Sequence, residues 1–317
     1  MQKQFLQDSG AKYPIIGGPM YPCSNPELVA AVSEAGGIGI VQPLTLTYVE
    51  GYDFRAGLRY IRTLTSKPIG MNVLIEKRVA KYQKKMQEWI GIALEEGVRF
   101  FITSLGKPDW VVEQVHAGGG KVYHDVTQEK WADVALKSGV DGFIAVNNRA
   151  GGHTGTEDYK TLLQVLGRLG LPVVCAGGVS SKERYKEVLG LGYSGVQMGT
   201  RFIATKECHA SLDYKEAIVL AKEADIVLTE ELTGVPVSVI GGIGTEKSDV
   251  GVVAGWILKH PKLKHVMRLF YMLRSIKKLK TEMHAQKGKA KFWQAGKSVE
   301  EIKGICSVQE IIDTLVT

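Results

Sequence analysis

Cysteine is scarce in this chain: Cys23, Cys175, Cys208 and Cys306 are the only four in 317 residues, and no two are spaced as a CxxC pair. So few thiols, so far apart, exclude a disulfide framework or a zinc ribbon and read as reduced cysteines. The seven histidines show no ligand-like spacing, so no metal site is expected. Long apolar runs are also missing. No stretch approaches the roughly 20 apolar residues that cross a bilayer, and Met1-Gln2-Lys3-Gln4 opens no signal-like segment. The chain therefore reads as soluble and cytoplasmic, with no transmembrane segment. The dinucleotide fingerprint GxGxxG is absent as well.

A general excess of one charge is absent too, despite a formal net charge of +7. Between Lys259 and Lys291 eleven Lys and Arg residues face a single acid, Glu282, while the rest of the chain holds 29 basic and 32 acidic residues. The positive charge is one local feature, which excludes a basic nucleic-acid-binding body. Within that segment Leu263, Val266, Met267, Phe270, Leu273 and Leu279 recur at helical spacing, with Lys and Arg on the other face. A solvated helix packed on the main body accounts for this pattern. A docking patch for an acidic carrier protein, or for an anionic membrane surface, is the sharper reading.

What the chain does have is glycine, 37 residues of it, and a regular alternation of apolar runs with helical patterns. The runs Pro14–Gly17, Ile38–Val41, Ile69–Val73, Arg99–Thr103, Lys121–Asp125, Asp141–Val146, Pro172–Ala176 and Gly195–Met198 predict eight strands. Most show little polar alternation, as parallel strands covered on both faces should. Between them Asn25–Ala35, Val79–Glu95, Gln128–Ser138, Thr161–Leu169 and Ser181–Leu189 predict helices, with Asn25 and Ser180 as caps. Gly97, Gly139, Gly170 and Gly192 fall where helices should end. Eight such units make a (β/α)8 TIM barrel, an α/β fold, more readily than an open doubly wound sheet.

After Thr205 the alternation stops. Tyr214–Ala224 predicts a helix, Thr229–Ile240 an extended or looped stretch, and Gly241-Gly242-Ile243-Gly244 a junction. Asp249–Leu258, Lys264–Leu279 and Val299–Ile302 predict further helices, and Val308–Leu315 closes the chain. The expected organisation is a barrel over residues 1–223 and a smaller, mainly helical region over 224–292, packed on the barrel mouth. Residues 293–317 then return to the barrel.

In such barrels ligands bind at the C-terminal ends of the strands, with a phosphate commonly held between the seventh and eighth loops. Here the seventh strand runs into Ala176-Gly177-Gly178-Val179 and the eighth into Gly199-Thr200-Arg201-Phe202. Two adjacent glycine turns can aim backbone N–H groups at one phosphate. Thr200 offers a hydroxyl, and Arg201 offers either charge or a structural pair. Gly70-Met71-Asn72 places a carboxamide at the end of the third strand, suited to a flat heterocycle's edge. Gly17-Gly18-Pro19-Met20 places a thioether at the end of the first. Ala150-Gly151-Gly152-His153-Thr154-Gly155, after the sixth strand, sets one imidazole among glycines that allow close backbone approach to a ligand. His124-Asp125 ends the fifth strand, but adjacent strand residues face opposite ways, so the pair is no metal site.

In this order Pro14-Ile15-Ile16-Gly17-Gly18-Pro19-Met20, Gly70-Met71-Asn72, Ala150-Gly151-Gly152-His153, Ala176-Gly177-Gly178 and Gly199-Thr200-Arg201-Phe202 resemble nitronate monooxygenases. These enzymes, formerly called 2-nitropropane dioxygenases, are FMN-binding TIM barrels. Flavin-dependent enoyl-acyl-carrier-protein reductases share the fold and nearly the same motifs. The resemblance implies FMN phosphate against Gly177, Gly178, Gly199 and Thr200, with Gly18, Met20, Asn72, Gly151 and Gly152 around the cofactor. It implies His153 as the catalytic residue facing substrate near flavin N5, and carries Gln128 and Asn147 over to the ring's surroundings. Two departures stand out. Many members have Glu or Ser before the Ala-Gly-Gly-His, where this chain has Asn147-Asn148-Arg149, and Lys297 replaces the Gln of a late Ala-Gly-Gln.

The activity implied is oxidation of alkyl nitronates with O2 to a carbonyl compound and nitrite. The alternative is NAD(P)H-dependent reduction of an enoyl thioester, or of a quinone, on the same FMN barrel. A non-catalytic flavin- or phosphate-binding protein is the reading from another class. The partners implied are a small-molecule substrate (nitronate or enoyl thioester), O2, NAD(P)H under the alternative, and an acidic carrier protein at residues 259–291. A homodimer stays open as the assembly.

Overall fold

Apolar runs too short for helices and bounded by glycine turns become strands, and eight of them close on one another. The computed structural model describes residues 1–76, 80–230, 236–242, 276–286, 290 and 292–317. Strands β1 (Ile15–Gly17), β2 (Ile38–Val41), β3 (Ile69–Leu74), β4 (Phe100–Ser104), β5 (Lys121–Val126), β6 (Gly142–Val146), β8 (Val173–Ala176) and β9 (Gly195–Met198) form a closed parallel barrel. Closure pairs Ile15 with Val196 and Gly17 with Met198. The eight expected strands and the TIM-barrel architecture are all present. Gly97, Gly139, Gly170 and Gly192 take positive φ at the helix ends where they were expected.

Strand parity sorts the side chains into two buried layers. Ile16, Ile38, Ile40, Phe100, Ile102, Tyr123, Ile144 and Val174 fill the barrel interior. Val41, Met71, Val73, Phe101, Val122, Phe143, Cys175 and Val196 turn outward to meet Leu28, Leu58, Ile90, Val111, Ala132, Leu162 and Val188 from the surrounding helices. The bottom is stoppered by the helix Gln2–Ser9, unforeseen in the sequence. Its Phe5 packs edge-on against Phe100 and Tyr123, at ring distances of 6.0 and 5.9 Å. Tyr123 Oη also donates to Asp8 Oδ2 at 2.9 Å. With the bottom sealed by aromatic packing, the opposite end is left for a ligand.

One expected cap is corrected. Ser181, not Ser180, caps the helix Lys182–Gly190 by accepting from Arg184 N–H, while Ser180 Oγ donates to the Ser298 carbonyl at 2.8 Å. Asn25 stands at the N-cap of Pro26–Glu34 as expected, without a side-chain cap bond, since its amide is committed to Glu27, the Glu207 carbonyl and His209 N–H.

The stretch Thr229–Ile240, expected to be extended or looped, contributes to a second sheet. Strands β10 (Ile226–Thr229) and β11 (Val237–Ile240) pair antiparallel, and β11 pairs with β7 (Gly152–His153). The late segment joins the same sheet, since Ile240 N–H donates to the Trp293 carbonyl and Ala295 N–H to that of Ser238. The last helix, Val308–Val316, packs back on Pro26–Glu34 and Lys182–Gly190, the expected return to the barrel. Asp249–Leu258 and all but the end of Lys264–Leu279 lie outside the described residues, as does most of the basic segment; residues 276–283 are helical.

Gly39 shows how tightly the helix layer is seated. A Cβ there would stand 2.0 Å from the Val29 carbonyl oxygen, and helix backbone cannot move aside. Gly39→Ala should therefore cost about 1–3 kcal/mol of stability, read as a lowered urea or thermal midpoint. An unchanged midpoint would contradict this packing.

Candidate active site

The parity that fills the barrel with Phe100, Ile102 and Tyr123 also decides what reaches the mouth. One layer above them, Asn72, Ser104, Asp125 and Gln197 point inward from β3, β4, β5 and β9. The first three form a chain. Asn72 Nδ2 donates to the Ile102 carbonyl at 3.1 Å and to Ser104 Oγ at 3.3 Å, and Ser104 Oγ donates to Asp125 Oδ2 at 2.6 Å. Asp125 Oδ1 and Gln197 Oε1 are buried and find no partner among the described residues. Burial pushes the Asp125 carboxyl up to about 7, against a smaller downward pull from Ser104. No charged side chain contributes. His124 faces the helix layer instead, with Nδ1 at 2.7 Å from Thr103 Oγ1; burial lowers its pKa to about 4 and keeps it neutral.

The opposite rim gathers most of the glycines singled out in the sequence. Gly177 (φ +115°) and Gly178 (φ +82°) turn the chain after β8. Buried Asn147 holds that turn, its Nδ2 donating to the Gly177 carbonyl at 3.0 Å while its Oδ1 accepts from Arg149 N–H at 2.8 Å. A Cβ on Gly177 would lie 2.6 Å from Ala150 N, so only glycine fits. Gly18 N–H donates to the Met198 carbonyl, and the Met20 sulfur lies 3.3 Å from where a Gly199 side chain would begin. Thr200 Oγ1 accepts from Gly296 N–H at 2.9 Å, which leaves its own hydroxyl proton to donate. A Cβ on Gly151 would come within 2.8 Å of Gly296 N. Gly18, Met20, Gly151, Gly177, Gly178, Gly199 and Thr200 thus share one rim. Arg201 is not part of it: its guanidinium donates twice to the Gly304 carbonyl at 3.0 Å, the structural alternative of the two expected.

Asn72 stands in the inward layer with Ser104 and Asp125. Gln128 occupies the cap position before Glu129–Lys137 without a cap hydrogen bond. Gly152 and His153 form β7, held by pairing of Val237 with His153 and Ser238 with Gly152. The imidazole is reached by solvent, yet the surrounding protein lowers its pKa below the ordinary histidine value. A pKa lowered by desolvation favours the neutral imidazole. Asp125, Ser104 and Gln197 escaped the sequence reading. Tyr123 signalled Asp125, since residues two apart on a strand share a face.

A family profile described as nitronate monooxygenase matches residues 3–317. The chain belongs to the nitronate monooxygenase family. A probable nitronate monooxygenase of Staphylococcus saprophyticus is 31% identical over 267 residues, 71% of this chain and 74% of that one. A (3aS,4S,5R,7aS)-5-hydroxy-7a-methyl-1-oxo-octahydro-1H-indene-4-carboxyl-CoA dehydrogenase of Rhodococcus jostii is 29% identical over 228 residues. That match covers 72% of this chain but only 62% of the dehydrogenase. Among solved structures, FabK from Thermotoga maritima superposes with a TM-score of 0.79 at 26% identity, over 99% of this chain and 94% of FabK. Members of the nitronate monooxygenase family are flavin-dependent oxidoreductases, and this chain is one of them. No described helix is long and apolar enough to cross a membrane.

The raised Asp125 pKa makes a stability prediction with a definite sign. The folded chain holds the proton up to about pH 7, whereas the unfolded carboxyl loses it near pH 4. Wild-type stability is therefore penalised increasingly as pH rises between those values, and constantly above them. Asp125→Asn removes the penalty. Its stabilising effect should grow from pH 4 to pH 7 and then level off, at roughly 4 kcal/mol as an upper bound. A denaturation series showing no pH-dependent difference would refute the burial.

Proposed function

We propose that the chain is an FMN-dependent nitronate monooxygenase, converting alkyl nitronates and O2 to a carbonyl compound and nitrite, with His153 as its catalytic residue. The observation that carries this reading is one accessible imidazole carried on β7, two residues along the chain from Gly151 of the glycine rim. The described residues fit FMN. The Gly177-Gly178 and Gly199-Thr200 turns give backbone N–H groups and a hydroxyl to a phosphate, and Gly18, Met20, Gly151 and Gly152 line the way from there. Asn72, Asp125 and Gln197 present polar atoms to a ring system, two of them otherwise unpartnered, and Gln128 stands at the edge. When bound, FMN supplies the electron transfer and oxygen chemistry that no side chain can.

The chain's own residues bind, orient and move protons. Neutral His153 can remove the α-proton of a nitroalkane, or donate a hydrogen bond to the nitro oxygens of a nitronate. Pairing with β11 fixes the backbone of His153, so the imidazole is carried on a strand and not on a free loop. Below about pH 7 the Asp125 carboxyl is a neutral donor inside the barrel, where burying its carboxylate is costly. Residues 224–292 contribute β10 and β11 as a wall beside the mouth, which supports reading them as a substrate-side region.

A second reading, NAD(P)H-dependent reduction of an enoyl thioester on the same site, is favoured by the likeness to the Rhodococcus dehydrogenase, whose named substrate is also a CoA thioester. One pair of measurements separates the two. The purified chain should show an oxidised flavin spectrum and turn over propyl-2-nitronate without NAD(P)H. Rapid anaerobic bleaching by NADPH, with no nitronate turnover, would establish the reductase instead.

The His153 environment also sets a pH profile. A base must be neutral, so kcat/KM for a neutral nitroalkane should fall only as pH drops through a pKa depressed below 6.5. His153→Ala should lose about 10²–10⁴-fold in kcat/KM for the nitroalkane and abolish that acid limb, with a smaller loss for preformed nitronate. Unchanged rates with both substrates would remove His153 from the mechanism.

A further inference from the structure

Arg149 lies where the glycine rim meets the late segment, and its guanidinium has a buried N–H, that of Nε, without an acceptor among the described residues. Nη1 and Nη2 form a bidentate pair with Glu223 at 2.9 and 2.6 Å, and Glu223 also takes Lys297 Nζ at 3.8 Å. The fork is thus fixed from one side by a carboxylate whose pKa the Arg149 hydrogen bonds lower, with a smaller contribution from Lys297. The stem crosses the Gly177-Gly178 turn: a Cβ on Gly178 would stand 2.8 Å from Arg149 Nε and 2.9 Å from Cδ. Nε itself is buried and finds no acceptor among the described residues. A buried guanidinium N–H left unpaired is costly. Here it is held beside the turn that the proposed function assigns to the flavin phosphate.

Arg149, Glu223 and Lys297 come from three segments that meet only in the folded chain, and a further carboxylate, Glu300, accepts from Glu223 N–H at 2.8 Å. The backbone is committed to the same meeting point, since Lys297 N–H donates to the Arg149 carbonyl at 3.0 Å and Gly296 N–H to Thr200 Oγ1. A single brace therefore joins the loop after β6, the turn after β9 and the late segment, with an unpaired donor at Gly178.

We propose that Arg149 is an anion-binding residue of this site, its Nε–H donating to the phosphate of the bound flavin while Glu223 and Lys297 hold the guanidinium in place. The inference rests on the flavin reading above and adds to it a cationic side chain that the glycine turns alone do not provide. It makes the site selective for phosphorylated over unphosphorylated flavin by more than backbone contacts.

The test is binding of FMN and of riboflavin to the full chain stripped of flavin, followed by quenching of flavin fluorescence. Wild type should bind FMN more tightly than riboflavin. Arg149→Met should weaken FMN about 10-fold or more, the loss of one charge-assisted hydrogen bond, and leave riboflavin within two-fold (roughly the scatter of such context effects). Arg149→Lys keeps the charge without Nε–H and should weaken FMN as well. Glu223→Gln loosens the brace while keeping the donor, and should cost FMN less than Arg149→Met does. Equal losses for both flavins in Arg149→Met would make Arg149 a packing residue and overturn the proposal, as would an unchanged ratio or full recovery of FMN affinity by Lys. Binding of neither flavin by wild type would instead overturn the flavin reading, and this inference with it.

Discussion

Closure of the barrel between β1 and β9 is the constraint on which the site depends. Ile15, Ile16 and Gly17 pair with Val196, Gln197 and Met198, and that register puts the first and last strands' C-terminal turns side by side. Gly18 then bonds back to the Met198 carbonyl, and Met20 comes to rest on Gly199. Parity does the rest. With Ile16 inside, every second residue around the ring is committed to the interior. The top of that interior must accept whatever the strands end in: Asn72, Ser104, Asp125 and Gln197. A slip of one residue would send those polar groups into the helix layer and bring Met198 and Val196 inward. The bottom stopper reinforces this, because Phe5 packs on Phe100 and Tyr123, the same face one or two layers below Ser104 and Asp125.

The mouth built this way has two walls of different character. One is a hydrogen-bonded row of side chains on rigid strands, ending in a carboxyl whose pKa burial raises to about 7. The other is glycine backbone, where loops after β6, β8 and β9 approach the late segment too closely for any Cβ. Side chains on strands give fixed donors and acceptors. Bare backbone gives N–H groups and room. A flavin needs both, a polar edge for its ring and a cradle for its phosphate, so the division of labour follows from where strands end and turns begin. His153 belongs to neither wall; it is presented by a third element, the small antiparallel sheet, which meets the barrel only at this end.

Much of this was legible in the sequence, and the reason is parallel burial. Strands covered on both sides read as unbroken apolar runs, which is why all eight stood out, and glycines in turns mark themselves. What was illegible depends on partners distant in the chain. The β7 pairing of His153 needs Val237, and a two-residue strand has no pattern of its own. The stopper helix is mostly polar, with its meaning in Phe5 alone. The assignment of Ser180 as a cap failed because two serines stand together, and only the helix's orientation decides which one reaches Arg184 N–H. Asp125 was passed over for a simpler reason. Beside His124 it reads as half of a ligand pair, yet the alternation that disqualifies the pair also sends Asp125 inward with Tyr123.

Arg149 and Lys297 looked like two unrelated departures from the family pattern. Both contact Glu223, which turns them into one feature. A glutamate at position 149, as many members have, would set two carboxylates against each other across the same gap, and like charges this close are costly. A glutamine at 297 would leave Glu223 with one cation fewer. The three residues are therefore linked: the carboxylate holds the arginine's fork, and both cations pair with that one carboxylate. What the rim gains is a fixed positive group at the Gly177-Gly178 turn, in place of the flexible lysine or bare backbone that would otherwise meet an anion there. A planar guanidinium locked from behind loses less freedom on binding than a free side chain would, so the brace contributes to affinity through geometry as much as through charge.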